Sequence, residues 1–171
     1  MRLDVTHTWD GHPIARDERV RVDLRRVDGA LELRVDAPWH GDPPPASAPG
    51  PTPRLWEHEV VELFLAGPAD RYLEVELGPH GHHLVLWLDG VRRPTREAIP
   101  IDYVVARAGD RWTGRALLGP QVPLPDTPWR ANAYAIHGVG DRRRWLAHAP
   151  VQGPQPDFHR LDRFVPIRFA E

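Results

Sequence analysis

Three short runs, EVVELFL at 59–65, RYLEVEL at 71–77 and LVLWLD at 84–89, constrain this chain more than any other feature. Each is rich in strand-forming residues, and the segments between them, AGPAD and GPHGHH, are turn sequences. The pattern predicts an antiparallel meander. Placing Leu65 opposite Arg71 and Leu77 opposite Leu84 puts Val61, Leu63, Leu65, Leu73, Val75, Leu77, Leu86 and Leu88 on one face, the expected core face. The other face then carries three cross-strand rows: Phe64 with Tyr72 and Asp89, Glu62 with Glu74 and Trp87, and Val60 with Glu76 and Val85.

The rest of the chain extends the same pattern. Alternation at Val20, Val22 and Leu24 and at Leu31, Leu33 and Val35, with Asp28-Gly29 between, predicts a hairpin. Further strands are expected at 101–106, 111–117, 131–137, 144–148 and 164–169, about ten in all. No window keeps a helical period, and 20 prolines with 14 glycines interrupt the chain too often for long helices. The expected fold is an all-β antiparallel sandwich of jelly-roll type, a single domain over 1–171 with a mobile proline-rich loop at 37–53.

Composition removes several classes of function. Without cysteine there is no thiol nucleophile, disulfide or Cys-ligated metal. The only serine, Ser47, lies in the proline loop and lacks the context of a nucleophile. All 22 cationic residues are arginine, but the net charge of −2 does not call for nucleic acid as a partner. Met1 to Asp10 lacks a signal-peptide pattern and no stretch is long enough to span a membrane, so a cytoplasmic, non-membrane protein is expected. His80, His82 and His83 form a turn cluster without zinc spacing, and Arg142, Arg143 and Arg144 read as a solvated turn. The pattern says nothing about oligomeric state.

The expected row of Glu62, Glu74 and Trp87 bears most directly on function. Two carboxylates side by side are destabilising unless an arginine, a cation or a hydrogen-bonding ligand intervenes. With an indole beside them they suit a sugar, whose C–H face lies on the ring while its hydroxyls donate to the acids. The alternative is structural, with Arg107, Arg115 or another arginine pairing the acids.

LWEHEVVELFL at 55–65, RYLEVELGPHG at 71–81 and PDFHRLDRF at 156–164 resemble, in that order, DOMON-like proteins related to the family 9 carbohydrate-binding modules. The resemblance implies a sandwich that binds mono- or disaccharide ends, with structural calcium in some members. It places Trp56 and Glu62 at two sugar-holding positions, Trp56 as one half of an aromatic clamp. The second clamp tryptophan is expected near the C-terminal motif, where this chain has Asp157, Phe158 and His159. Phe158 or His159 as a smaller stacking partner, or loss of the sugar function, are both open. So is Trp56 as a buried anchor. Some DOMON relatives ligate haem through methionine and histidine, and with Met1 the only methionine that ligation is not expected.

The expected function is therefore non-catalytic carbohydrate binding through Trp56, Glu62, Tyr72, Glu74, Trp87, Asp157, Phe158 and His159, with no catalytic or metal-binding residue and no cofactor. A carbohydrate-active hydrolase, or an accessory domain of one, and an interaction module without a sugar site are the alternatives.

Overall fold

The computed structural model describes residues 1–169. Thirteen strands form two antiparallel sheets packed face to face. The smaller sheet has the order β1 (Arg2–Val5), β3 (Val20–Val27), β4 (Ala30–Pro38), β10 (Arg111–Leu118), β9 (Asp102–Ala108). The larger runs β2 (His7–Thr8), β12 (Arg144–Ala147), β11 (Arg130–His137), β5 (Val60–Ala66), β6 (Arg71–Leu77), β7 (His83–Asp89), β8 (Pro94–Arg96), with β13 (Val165–Pro166) paired to β11. The all-β sandwich is therefore as expected. The chain adds short edge strands to the ten that alternation revealed, and only Val165–Pro166 of the expected 164–169 strand pairs. No helix among the described residues is long and apolar enough to cross a membrane.

Turn chemistry explains the first hairpin. Asp28 and Gly29 both have positive φ, 48° and 82°, and form a two-residue loop between paired Val27 and Ala30. That left-handed pair matches the twist of the flanking strands.

Between the sheets, Val22, Leu24, Leu33 and Trp112 pack against Val61, Leu63, Leu73, Val75 and Val85. The meander forms, but its register differs from the expectation in two ways. Leu65 pairs with Leu73 rather than opposing Arg71, a shift that keeps each side chain on its expected face. Leu77 pairs with His83 rather than Leu84, a one-residue slip that turns every side chain of β7 over. Leu84, Leu86 and Leu88 therefore point to the outer face, while Trp87 packs against the core between the sheets. The expected row of Glu62, Glu74 and Trp87 does not form. From Leu84 to Leu88 both alternating sets of β7 are apolar, so hydrophobic pattern alone could not choose between them. The turn chooses: Gly78 N–H donates to the His82 carbonyl, and Gly81, at φ 87°, donates to that of Gly78.

The proline-rich segment is fastened rather than loose. The Glu59 carboxylate accepts from the backbone N–H of His40 (3.0 Å) and Asp42 (3.2 Å), and Gly50 and Thr52 exchange backbone bonds with His83. His82 contacts the Ser47 carbonyl at 2.9 Å, so the histidine cluster serves this segment.

The outer faces of the two sheets differ. On the smaller one, Glu32 is covered by Arg25 (2.6 Å), Arg34 (2.7 Å) and Arg115, guanidiniums that are themselves half exposed. These bonds, Arg34's foremost, hold its carboxyl down to about 2 despite the opposing effect of burial. On the larger, a second apolar cluster joins Phe64, Tyr72, Leu88 and Tyr134 to Phe158, Leu161 and Phe164 of the C-terminal segment. Asn132 holds that segment by donating to the Ala149 carbonyl, and Phe158 stacks on Tyr134 with ring centroids 3.9 Å apart.

Candidate functional site

The C-terminal segment leaves part of this outer face uncovered as a cleft of about 370 Å³. Its floor comes from Glu62 and Phe64 on β5, Glu74 on β6, and Leu86 and Leu88 on β7. Trp56, Trp145 and Ile136 stand around it, with Arg92, Phe158 and His159.

Trp56 lies on a single 3-10 turn, Leu55–Glu57, just before β5. Leu55 is fully buried and anchors the turn, while Trp56 is 41 % exposed and is not a buried anchor. Arg143 braces the turn by donating to the carbonyls of Trp56 (2.5 Å) and Glu57 (2.8 Å). The Arg142–Arg144 run thus contains a brace for the cleft rather than only a solvated turn.

Three carboxyls share this face of the sheet, Glu62 and Glu74 in the cleft floor and Glu76 beside them. Glu62 pairs directly with Glu76, and Glu74, opposite Phe64, is diagonal to Glu62. All three are buried, yet none forms an ion pair with arginine, lysine or histidine among the described residues. Arg115 is engaged with Glu32 and Arg107 lies over the Trp39 ring, so neither supplies the expected neutralisation. Among the described residues one oxygen of Glu74 and both of Glu76 lack a hydrogen bond of good geometry, although Glu74 and Glu76 approach each other closely enough to share a proton and the Trp56 backbone N–H approaches Glu76. Burial pushes Glu74 up to about 7, against the opposing influence of Glu76 and Arg92. Glu62 is raised well above the ordinary carboxylate range by burial and then by Glu74, and Glu76 by burial and then by both neighbours. Near neutral pH the group therefore retains protons and can both donate and accept hydrogen bonds.

The opposite wall is a hydrogen-bonded unit. The Tyr72 hydroxyl lies 2.6 Å from His159 Nδ1 and accepts the Arg92 backbone N–H at 3.0 Å. The direction of the Tyr72–His159 bond follows the imidazole tautomer: with the ring proton on Nε2 the hydroxyl donates to Nδ1, and with it on Nδ1 the hydroxyl accepts. Burial and then Arg92 lower His159 to about 4, so the ring is neutral near pH 7. Asp157 accepts from Arg92 (2.7 Å) and from the His159 backbone N–H (3.0 Å). Tyr72→Phe is expected to leave Arg92 N–H and His159 Nδ1 unpaired and to lower unfolding free energy by about 1–3 kcal/mol in urea denaturation.

The structure thus brings Trp56, Glu62, Glu74, Phe158 and His159 together at one cleft. Tyr72 and Asp157 lie behind it as supports, and Trp87 is on the other side of the sheet. Sequence reasoning missed Trp145 and Arg92. Trp145 follows from pairing: it is opposite Ile136, and β11 lies beside β5, so the indole shares a face with Glu62. Among the described residues no three His, Cys, Asp or Glu side chains are grouped to hold a metal ion.

The solved structures similar to this fold include a Bacteroides uniformis protein provisionally assigned as carbohydrate-binding, with TM-score 0.73 and 17 % identity, covering 96 % of this chain and 84 % of that one. A family 9 carbohydrate-binding module of Caldicellulosiruptor kristjanssonii in complex with cellotriose is similar at TM-score 0.55 and 12 % identity, covering 89 % and 76 %. These likenesses bear on the carbohydrate-binding-module part of the resemblance and do not confirm the DOMON part. No family model matches the sequence. The rat UPF0462 protein C4orf33 homolog is 42 % identical over 99 % of this chain and 88 % of its own length. The human C4orf33 protein is 40 % identical over the same shares, and the zebrafish homolog 38 % identical over 96 % and 87 %. At this identity over nearly the whole chain, the protein belongs to the UPF0462 (C4orf33) family.

Proposed function

We propose that the cleft binds a mono- or oligosaccharide without transforming it. The observation that carries this reading is the presence of two tryptophans, Trp56 and Trp145, in one cleft beside Glu62 and Glu74, carboxyls that form no ion pair among the described residues. Indole faces stack on the C–H face of a sugar ring, while the carboxyls and the His159 ring meet its hydroxyls. About 370 Å³ is within the range of small-molecule sites. The likeness to family 9 modules solved with cellotriose and with glucose supports the same ligand class. Of Phe158 and His159, the two expected stacking partners, Phe158 lies against Tyr134, and Trp145 takes the stacking role in this proposal.

Hydrolysis fits less well. A glycosidase places its two carboxyls on either side of the scissile bond. Glu62 and Glu74 instead rise from adjacent strands of one floor.

Calorimetric titration with a panel of mono- and disaccharides is expected to show saturable binding at micromolar to millimolar concentration, with no reducing sugar released. Absence of binding across the panel at millimolar concentration would sink the proposal. Release of reducing sugar that is lost in Glu62→Gln would convert it into a hydrolase.

A further inference from the structure

The carboxyls of the cleft are placed unlike the buried acid elsewhere in the fold. Glu32 gathers three guanidiniums, whereas Glu62, Glu74 and Glu76 have none within ion-pairing distance among the described residues. The two guanidiniums nearest the cleft make their direct contacts elsewhere and reach Glu62 and Glu74 only through space. Arg92, in the turn after β7, is paired with Asp157 of the C-terminal segment, and Arg143, before β12, donates to the carbonyls of Trp56, Glu57 and Gly138. His159 is held neutral beside Tyr72, and neither Tyr72 nor Tyr134, whose hydroxyls are raised by burial, contributes charge near neutral pH. A floor that only had to meet hydroxyl groups could use amides and avoid the repulsion among three acids. Arg143 and Arg92 act on Glu62 and Glu74 only from beyond ion-pairing distance, so three carboxyls at one place, with a buried Glu74 oxygen lacking a partner, are complementary to a further cation in direct contact with them. The two indoles at the cleft suit the same charge, since an ammonium is attracted to an aromatic face.

We propose that the ligand of this cleft is a sugar bearing a protonated amine, whose ammonium is received by Glu62 and Glu74, with Glu76 next to them, beside Trp56 and Trp145. The inference rests on the carbohydrate reading of the site and adds a charge requirement to it. An ammonium has three N–H donors, enough to contact both floor carboxyls and retain one for water or a further acceptor. Its arrival favours ionised carboxyls, so binding releases protons and strengthens as pH rises from about 5.5 towards about 7, while the ligand amine stays protonated.

The experiment is calorimetry with matched sets of the gluco, galacto and manno configurations, each as the free hexose, the 2-amino sugar and its N-acetyl derivative. At least one amino sugar is expected to bind at least about tenfold more tightly than its neutral partners near pH 7. That preference should shrink at about pH 5.5, and the binding heat should depend on the ionisation enthalpy of the buffer. Glu74→Gln is expected to bring the ratio of amino-sugar to hexose affinity towards one. Glu62→Gln is the second variant should the first fail to fold, and circular dichroism identifies the folded ones. If neutral sugars bind as tightly as their amino counterparts, the charge requirement is wrong and the carbohydrate reading stands. If no member of any set and no disaccharide of the wider panel binds, both fall.

Discussion

Trp56→Ala is expected to weaken sugar binding by at least about 2 kcal/mol, roughly 30-fold, while changing unfolding free energy by no more than about 0.5 kcal/mol. The separation follows from how the turn is mounted. Its anchor is Leu55, which is fully buried, whereas Trp56 is 41 % exposed at the edge of the cleft. Arg143 braces the turn through the backbone carbonyls of residues 56 and 57, contacts that survive loss of the indole. Leu55→Ala should do the opposite, costing about 2–5 kcal/mol of stability through the cavity it opens, with ligand affinity falling only as the turn loosens. Urea denaturation and calorimetry on both variants make the comparison. A loss of more than about 2 kcal/mol of stability in Trp56→Ala would show the indole to be a structural anchor and remove it from the proposed binding surface.

Stability is expected to fall as pH rises from about 6.5 to about 8, and Glu74→Gln should reduce that fall. Glu74 is raised to about 7 in the folded protein by burial, and Glu62 and Glu76 are raised as well. A carboxyl with a folded pKa above its unfolded value holds more protons when folded. Its stabilising effect is therefore complete below the unfolded value and is lost as pH climbs through the folded one. For Glu74 alone, a rise from 4.5 to about 7 corresponds to about 3 kcal/mol over the whole range. The buried histidines act in the other direction. His159 is lowered to about 4 and His137 to about 3, both chiefly by burial, so their contribution is present above the unfolded value near 6.5 and is lost as pH falls towards the folded values. Above about pH 6.5 the histidine contribution is nearly level and the carboxyl slope stands alone. At pH 8 Glu74→Gln should raise unfolding free energy by about 2 kcal/mol, less than the full carboxyl cost because the amide introduces donors that need partners. Chemical denaturation at a series of pH values is the measurement. An unchanged slope in the variant would mean that Glu74 is not the group being titrated. A bound amino sugar should flatten the same slope, because it stabilises the ionised floor.

Alternation between Glu59 and Asp89 was enough to identify the meander, and the turn residues Asp28-Gly29 marked the first hairpin correctly. Trp56 and Glu62 were legible from the motif that contains them, and both line the cleft. Trp87 was placed on the wrong face because β7 is apolar on both sides from Leu84 to Leu88. Period-two reasoning finds a register only when one face is polar. Trp145 escaped notice for a different reason: its neighbourhood depends on β11 pairing with β5, strands about seventy residues apart that no local pattern connects. The proline-rich segment read as mobile because its composition excludes helix and central strand, but composition does not record the Glu59, His82 and His83 contacts that fasten it.

What the sequence by itself determined was the set of strands, the all-β sandwich and the presence of acids and aromatics suited to a sugar, since side-chain period and turn chemistry act between near neighbours. Which acids lie together, which remain without an arginine and which tryptophans face them were decided only by the tertiary structure. Register, strand order and ion pairing join residues far apart in the chain, and one slipped residue between β6 and β7 is enough to exchange Trp87 for Leu86 at the cleft.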